Sequence, residues 1–166
     1  MKLAVAFEFF ANHVQAAAVA FDAWDALEPG NTCTTRVAVA AKLSPVERDQ
    51  CRLAALLQLL CEQELGPELI VFVGLVHLDG QGSPGWGQLI YDALGGRVAV
   101  IGISKRLTPG LPAQFEVLRE IDAPPVVVTC VGIDIGAAKA RVRAMHGKRR
   151  LPTLLKLATR SAKGSD

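Results

Sequence analysis

Residues 68–87 read ELIVFVGLVHLDGQGSPGWG, and the other segments arrange themselves around this one. Residues 69–78 form a run of branched apolar side chains interrupted only by Gly74. That composition fits a strand buried on both faces. The run stops at one acid, Asp79, and Gly80, Gly82, Gly85 and Gly87 follow. A carboxylate at the tip of a buried strand, beside a loop with few side chains, lets backbone approach a ligand closely. The competing reading makes Asp79-Gly80 an ordinary turn after a core strand.

Upstream, Leu3, Val5, Phe7 and Phe9 alternate with Ala4, Ala6, Glu8 and Phe10, the period of a strand. Glu8 is a charge among apolar neighbours, so it needs a partner, a metal or water. Residues 14–24 and 34–43 read as two more strands of an antiparallel meander, separated by turn formers. Ser44-Pro45-Val46-Glu47 opens a helix with an N-cap serine, a proline at the first helical position and a capping-box glutamate. Its leucines repeat at helical spacing to Leu65, before Gly66-Pro67 ends it. Glu47 is explained by the cap. Asp49, one turn before Leu53, is not.

Downstream, a short helix is expected over 88–94 and a buried strand over 97–104, ending at Lys105. A segment of undecided type covers 114–121. A strand is expected over 124–130, and helices over 135–145 and 151–162. Three strands, a helix, strand–helix units and closing helices resemble the ribonuclease H-like plan: an α/β fold with a mixed sheet, an antiparallel meander plus parallel strands, and helices on both faces. In that plan the first strand lies beside the strand of 69–78. Glu8, Asp49 and Asp79 would then converge, and Mg²⁺ or Mn²⁺ is the natural relief for three close carboxylates.

The chain has 166 residues, 51% of them hydrophobic, which suits one folded domain. That domain is read as residues 1–160, with 161–166 as a basic C-terminal tail. No apolar run approaches the roughly 18 residues of a membrane span, and the N-terminus makes a poor signal peptide. Four cysteines lie without metal-binding or disulfide-framework spacing, so a cytoplasmic, reduced setting is expected. Net charge is only +2, yet half of the 18 Lys and Arg fall in the final thirty residues. That asymmetry suggests a polyanion partner, nucleic acid before others; the competing reading is a solvated helical face plus a frayed tail.

Three stretches carry a family resemblance. Asp79-Gly80-Gln81-Gly82 resembles the strand-end Asp-Gly-His-Gly of endonuclease V. Residues 100–105, VIGISK, are similar to that family's Ile-Gly-Val-Ala-Lys. VVVTCVGIDIGAAKARV and the later RRLPTLLKLATR resemble its strand, glycine turn, helix and Arg-Leu-Pro helix. The resemblance implies a metal-dependent endonuclease that cuts DNA or RNA near deaminated, inosine-like bases. Glu8 stands where the family's first-strand Asp falls. Asp49 stands for its helix-start Glu, with Glu47 as the competing choice. Glu8, Asp49 and Asp79 would bind one or two Mg²⁺ or Mn²⁺, activating a water and neutralising the leaving oxygen. Lys105 would contact a phosphate oxygen. Gly80 and Gly82 would wrap a flipped base, Trp86 would stack on one, and Lys139, Arg149 and Arg150 would follow the backbone. The partner would be single-stranded or locally opened nucleic acid, with a monomer favoured and no membrane contact.

The family's wedge segment before the helix is absent, its loop histidine is Gln81, and the histidine of its last helix falls at Thr159. These departures define the alternative, a catalytically impaired relative that binds nucleic acid or another partner. A third reading, an unrelated α/β domain with a small anion at the Asp79 loop, leaves the basic final thirty residues unexplained.

Overall fold

The structure is a computed structural model and describes residues 1–164. Seven strands form one mixed sheet: β1 (Lys2–Phe9), β2 (His13–Phe21), β3 (Asn31–Ala38), β4 (Leu69–Val73), β5 (Ala99–Ser104), β6 (Glu116–Val117) and β7 (Val126–Val131). Their order is β3-β2-β1-β4-β5-β7-β6. The β1–β4 and β4–β5 pairs are parallel, and the other pairs are antiparallel. The helices are α1 (Pro45–Glu62), α2 (Trp86–Ala93), α3 (Ile135–Ala144) and α4 (Thr153–Lys163). The expected ribonuclease H-like architecture is present: an antiparallel meander, a parallel centre and helices on both faces.

Strand alternation explains the two-sided core. Leu3, Val5, Ile70, Phe72 and Val100 pack with Leu56 and Leu59 of α1 and Ile90 of α2. Ala4, Val71, Ile101, Ile103 and Val128 pack with α3 and α4 through Val142, Leu154, Leu155 and Ala158. Branched residues in the central strands fill both faces. Among the described residues, every buried side-chain nitrogen or oxygen has a hydrogen-bond partner.

Several boundaries differ from the sequence reading. β2 ends at Phe21 and β3 begins at Asn31. The segment 114–121 becomes a 3-10 turn, Ala113–Phe115, followed by the two-residue β6. α4 carries the chain through Lys163, into the stretch expected as a tail. Residues 165–166 of that stretch lie outside the described residues. The consequential difference is in β4, which ends at Val73 and not at residue 78. Gly74 adopts φ +151°, a conformation open to glycine. Its N–H still donates to Ile103 O at 2.9 Å, the last bond of the β4–β5 ladder. The chain then crosses the end of β5, where Val76 N–H donates to the buried hydroxyl of Thr129 at 2.8 Å.

Candidate functional site

Because β4 stops early, Asp79 sits at the tip of a small loop and not at a strand end. Leu78 N donates to Ser83 O and Gly85 N to Val76 O, each at 2.8 Å, which closes a hairpin-like turn. The Asp79 carboxylate accepts from Ser83 Oγ at 2.6 Å, Gln81 N at 2.9 Å and Ser83 N at 3.1 Å. The Ser83 hydroxyl, followed by the backbone N–H groups, holds its pKa below the usual carboxylate range. Asp79 therefore does the turn-stabilising work expected of an Asx residue. Gly80 N donates to Gly110 O at 2.9 Å, tying this loop to the one after β5.

The other two acids do not join it. Glu8 lies opposite Gln15 in the β1–β2 ladder. Strand alternation puts it on the face of Ala4 and Ala6, toward α4, where Gln15 Nε2 donates to Ser161 O. Asp49 is on α1, across the sheet. Glu47 is fully occupied by its capping box with Ser44, at 3.0 and 3.2 Å. Among the described residues no three His, Cys, Asp or Glu side chains are placed to share a metal ion. The convergence expected from the topology thus fails for two physical reasons: Gly74 ends β4 too soon, and Glu8 and Asp49 occupy opposite faces of the sheet.

A cleft of about 650 Å³ opens at the carboxyl ends of the parallel strands, where ligands characteristically enter α/β sheets. Ala6 and Phe7 of β1, Phe72 and Val73 of β4, and Ser104 of β5 line it, with Asp49 and Arg52 from α1, Trp86, Leu151 and Thr159. The parallel register pairs Val5 with Phe72, so its next step sets Ala6 beside Val73. β4 ends at Val73, six residues before the Asp79 that the resemblance makes a strand-end acid, so the strand tip at the cleft is apolar. Asp49 is the one acid lining the cleft, and Arg52 Nη1 donates to its Oδ1 at 2.8 Å.

Trp86 forms one wall. Its ring meets Phe7 edge-on at 5.0 Å and Phe72 at 5.1 Å. Its Nε1 donates to Asp49 O at 3.0 Å, fixing the start of α1 against α2. The basic residues singled out from the sequence are largely committed to backbone. Lys139 Nζ donates to Gln114 O at 2.7 Å. Arg149 pairs with Glu120 at 2.9 Å. Arg150 donates to Pro124 O, Pro125 O and Lys105 O. Lys105 directly follows Ser104, the last residue of β5, and is not among the residues lining the cleft.

A hard divalent ion takes six or more oxygen ligands and draws on several carboxylates. This cleft supplies one carboxylate already paired with a guanidinium, the Ser104 hydroxyl, and a Thr159 hydroxyl that donates to Leu155 O at 2.9 Å. Those donors do not fit Mg²⁺ or Mn²⁺. The sequence reading missed Ala6, Val73 and Arg52 as the residues that define the site. The available signal was Gly74, which marks the strand end five residues ahead of Asp79.

No family model matches the chain, and no curated protein matches it. Solved structures do. Endonuclease V of Ciona intestinalis, in complex with a 24mer DNA containing an inosine followed by a ribo-adenosine, aligns with TM-score 0.78 and 14% identity over 98% of this chain and 84% of that one. Human endonuclease V aligns with TM-score 0.75 and 15% identity over 98% and 82%. Endonuclease V of Streptomyces avermitilis gives 0.72 and 23% over 98% and 77%. The chain has the endonuclease V fold.

Proposed function

We propose that the chain binds single-stranded or locally opened DNA or RNA at the carboxyl end of its sheet, without ion-assisted hydrolysis. One observation supports the second half of this reading: the cleft is lined by Ala6 of β1 and Val73 at the end of β4, and its acid, Asp49, is paired with Arg52. Binding is supported by the fold, by the inosine-containing DNA held by a neighbour of that fold, and by the basic final thirty residues of the sequence. The cleft has apolar walls of aromatic size at Phe7, Phe72 and Trp86, with the Arg52 guanidinium among its lining residues. Such walls exclude water from a stacked base, and the guanidinium answers a phosphate. The nuclease reading, with Mg²⁺ or Mn²⁺ on Glu8, Asp49 and Asp79, has no gathered carboxylates to rest on.

The test is to incubate the chain with labelled inosine-containing single-stranded DNA and RNA, with Mg²⁺ and with Mn²⁺, beside an Asp49→Ala control. The expected result is no cleavage in either metal, with affinity falling about tenfold or more between about 50 and 200 mM salt. Cleavage that disappears in Asp49→Ala would restore the nuclease reading. An absence of binding at low salt would remove nucleic acid as the partner.

A further inference from the structure

We propose that a second cavity, between the segment after β6 and the loop joining α3 to α4, holds a phosphodiester of a single nucleic-acid strand that continues out of the cleft, with Lys148 as its cation. The proposal rests on the binding reading above and adds a second contact site to it.

The sheet register puts both cavities at one end of the molecule. Val127 of β7 pairs with Ser104 of β5 on one side and with Glu116 of β6 on the other. β6 therefore runs parallel to β5, and the residues that follow it leave the sheet at the end where Ser104 lines the cleft. Two strand spacings, about 10 Å, separate β5 from β6. Arg119, Glu120 and Ile121 form one side of a cavity of about 630 Å³, and Gly147, Lys148 and Arg149 form the other. The loop then runs through Arg150 to Leu151, a wall of the cleft. Leu151 packs in the core cluster under α3 and α4, and the Arg119 side chain donates to carbonyls at the end of α3. The cavity and this wall of the cleft thus lie on the same side of the sheet.

Charge decides what the cavity takes. Three cations and one carboxylate line it, a surplus of two positive charges, which favours an anion. Arg119 uses its donors on the carbonyls of Val142, Met145, Gly147 and Arg149. Arg149 pairs with Glu120. Lys148 is exposed and makes no hydrogen bond or ion pair among the described residues. Its backbone is held on both sides, by the Arg119 bonds to Gly147 O and Arg149 O and by the Arg150 bonds to Pro124 O and Pro125 O. A loop fixed in advance lowers the ordering cost of binding. An ammonium is a compact point charge, and it meets a phosphate oxygen without the two-pronged geometry a guanidinium prefers. An acidic peptide would also answer Lys148. The continuity of this loop with the cleft favours the strand already held there.

The experiment measures fluorescence anisotropy of the full chain with a labelled thymidine oligonucleotide of about 12 nucleotides, long enough to reach from one cavity to the other. Lys148→Ala should weaken binding about fivefold and make the salt dependence shallower by about 0.7 in logarithmic slope, one phosphate contact on a single strand. Lys148→Arg should keep the wild-type slope. Arg97→Ala, before the start of β5 and so at the opposite end of the sheet, should change neither quantity. Melting temperatures near wild type verify that each variant is folded. At constant ionic strength, inorganic phosphate below about 10 mM should not displace the strand. If wild type binds and Lys148→Ala binds with the same affinity and slope, the second site is overturned while the binding reading stands. A loss in Arg97→Ala equal to that in Lys148→Ala also overturns it. So does displacement by phosphate below that concentration, or by an acidic peptide at lower concentration than unlabelled oligonucleotide. A wild-type chain that binds no oligonucleotide removes both readings.

Discussion

Arg119→Ala is expected to destabilise the protein by about 3 kcal/mol, since hydrogen bonds from a charged donor are worth about 1.5–3 kcal/mol each and several are lost together. α3 ends at Ala144 without a glycine cap, and Met145 turns out to extended backbone at φ −60°, ψ 139°. The last carbonyls of a helix have no internal partner. The Arg119 side chain collects them. It donates from Nη1 to Val142 O, and from Nη1 and Nη2 to Met145 O at 3.2 Å. It also donates from Nη2 to Gly147 O at 3.0 Å and from Nε to Arg149 O at 3.2 Å. Burial pushes its pKa below the ordinary arginine value, the signature of a guanidinium taken partly out of water. Removing it strands carbonyls on α3 and frees residues 145–151, including Leu151 at the cleft. A midpoint about 6–12 °C lower in thermal unfolding is the corresponding shift for a chain of this size. Arg119→Gln should recover only part of the loss. A change within about 0.5 kcal/mol would mean that water caps these carbonyls equally well.

Gly102→Ala is expected to cost about 2–3 kcal/mol, the range for forcing a methyl into close-packed backbone. Gly102 sits in β5 opposite Phe72 and Thr129. A Cβ there would lie 2.5 Å from Gly74 O and 3.2 Å from Gly74 C. These are backbone atoms, held by the bond from Gly74 N to Ile103 O, so no side-chain rotation relieves the clash. The chain must lift where it leaves β4, and that segment, Val73 to Leu75, is a wall of the cleft. Urea unfolding should report the stability loss, and oligonucleotide affinity should fall with it. Wild-type stability in Gly102→Ala would show that the crossing is loose and that the cleft wall is not fixed by this contact.

The layered architecture was legible because its signals are local and redundant. Ser44, Pro45 and Glu47 start α1 as the capping pattern requires, and both bonds of the box form. Strand alternation in 2–10 and the apolar runs of β4, β5 and β7 place side chains on the two core faces as read. The element order then allows few other sheets. The site was less legible, because it depends on where a strand stops. Residues 69–78 look continuous, but after the Val73–Ile103 pair Gly74, at φ +151°, turns the chain out of the ladder and over Gly102 of β5. A shift of that kind moves Asp79 from a strand end into a turn. Glu8 shows the same limit. Its strand was read correctly, but whether its face meets α1 or α4 is a tertiary fact. Basic residues in the last third were counted as a nucleic-acid face, while Arg150 and Lys139 bind backbone carbonyls. Counting charge cannot distinguish a cation that holds a loop from one that awaits an anion.

On the proposed reading, the cleft beside β1 and β4 holds one paired carboxylate, Asp49, and no site for a hard cation. Titration of Mn²⁺ into the full chain, followed by the loss of its free-ion electron paramagnetic resonance signal, tests this directly. The expected result is no site tighter than about 1 mM in wild type, and no difference between wild type and Asp49→Asn. A stoichiometric site of about 10 μM or tighter that Asp49→Asn removes would contradict it, because Asp49 would then have to be part of a ligand set able to dehydrate and hold the ion.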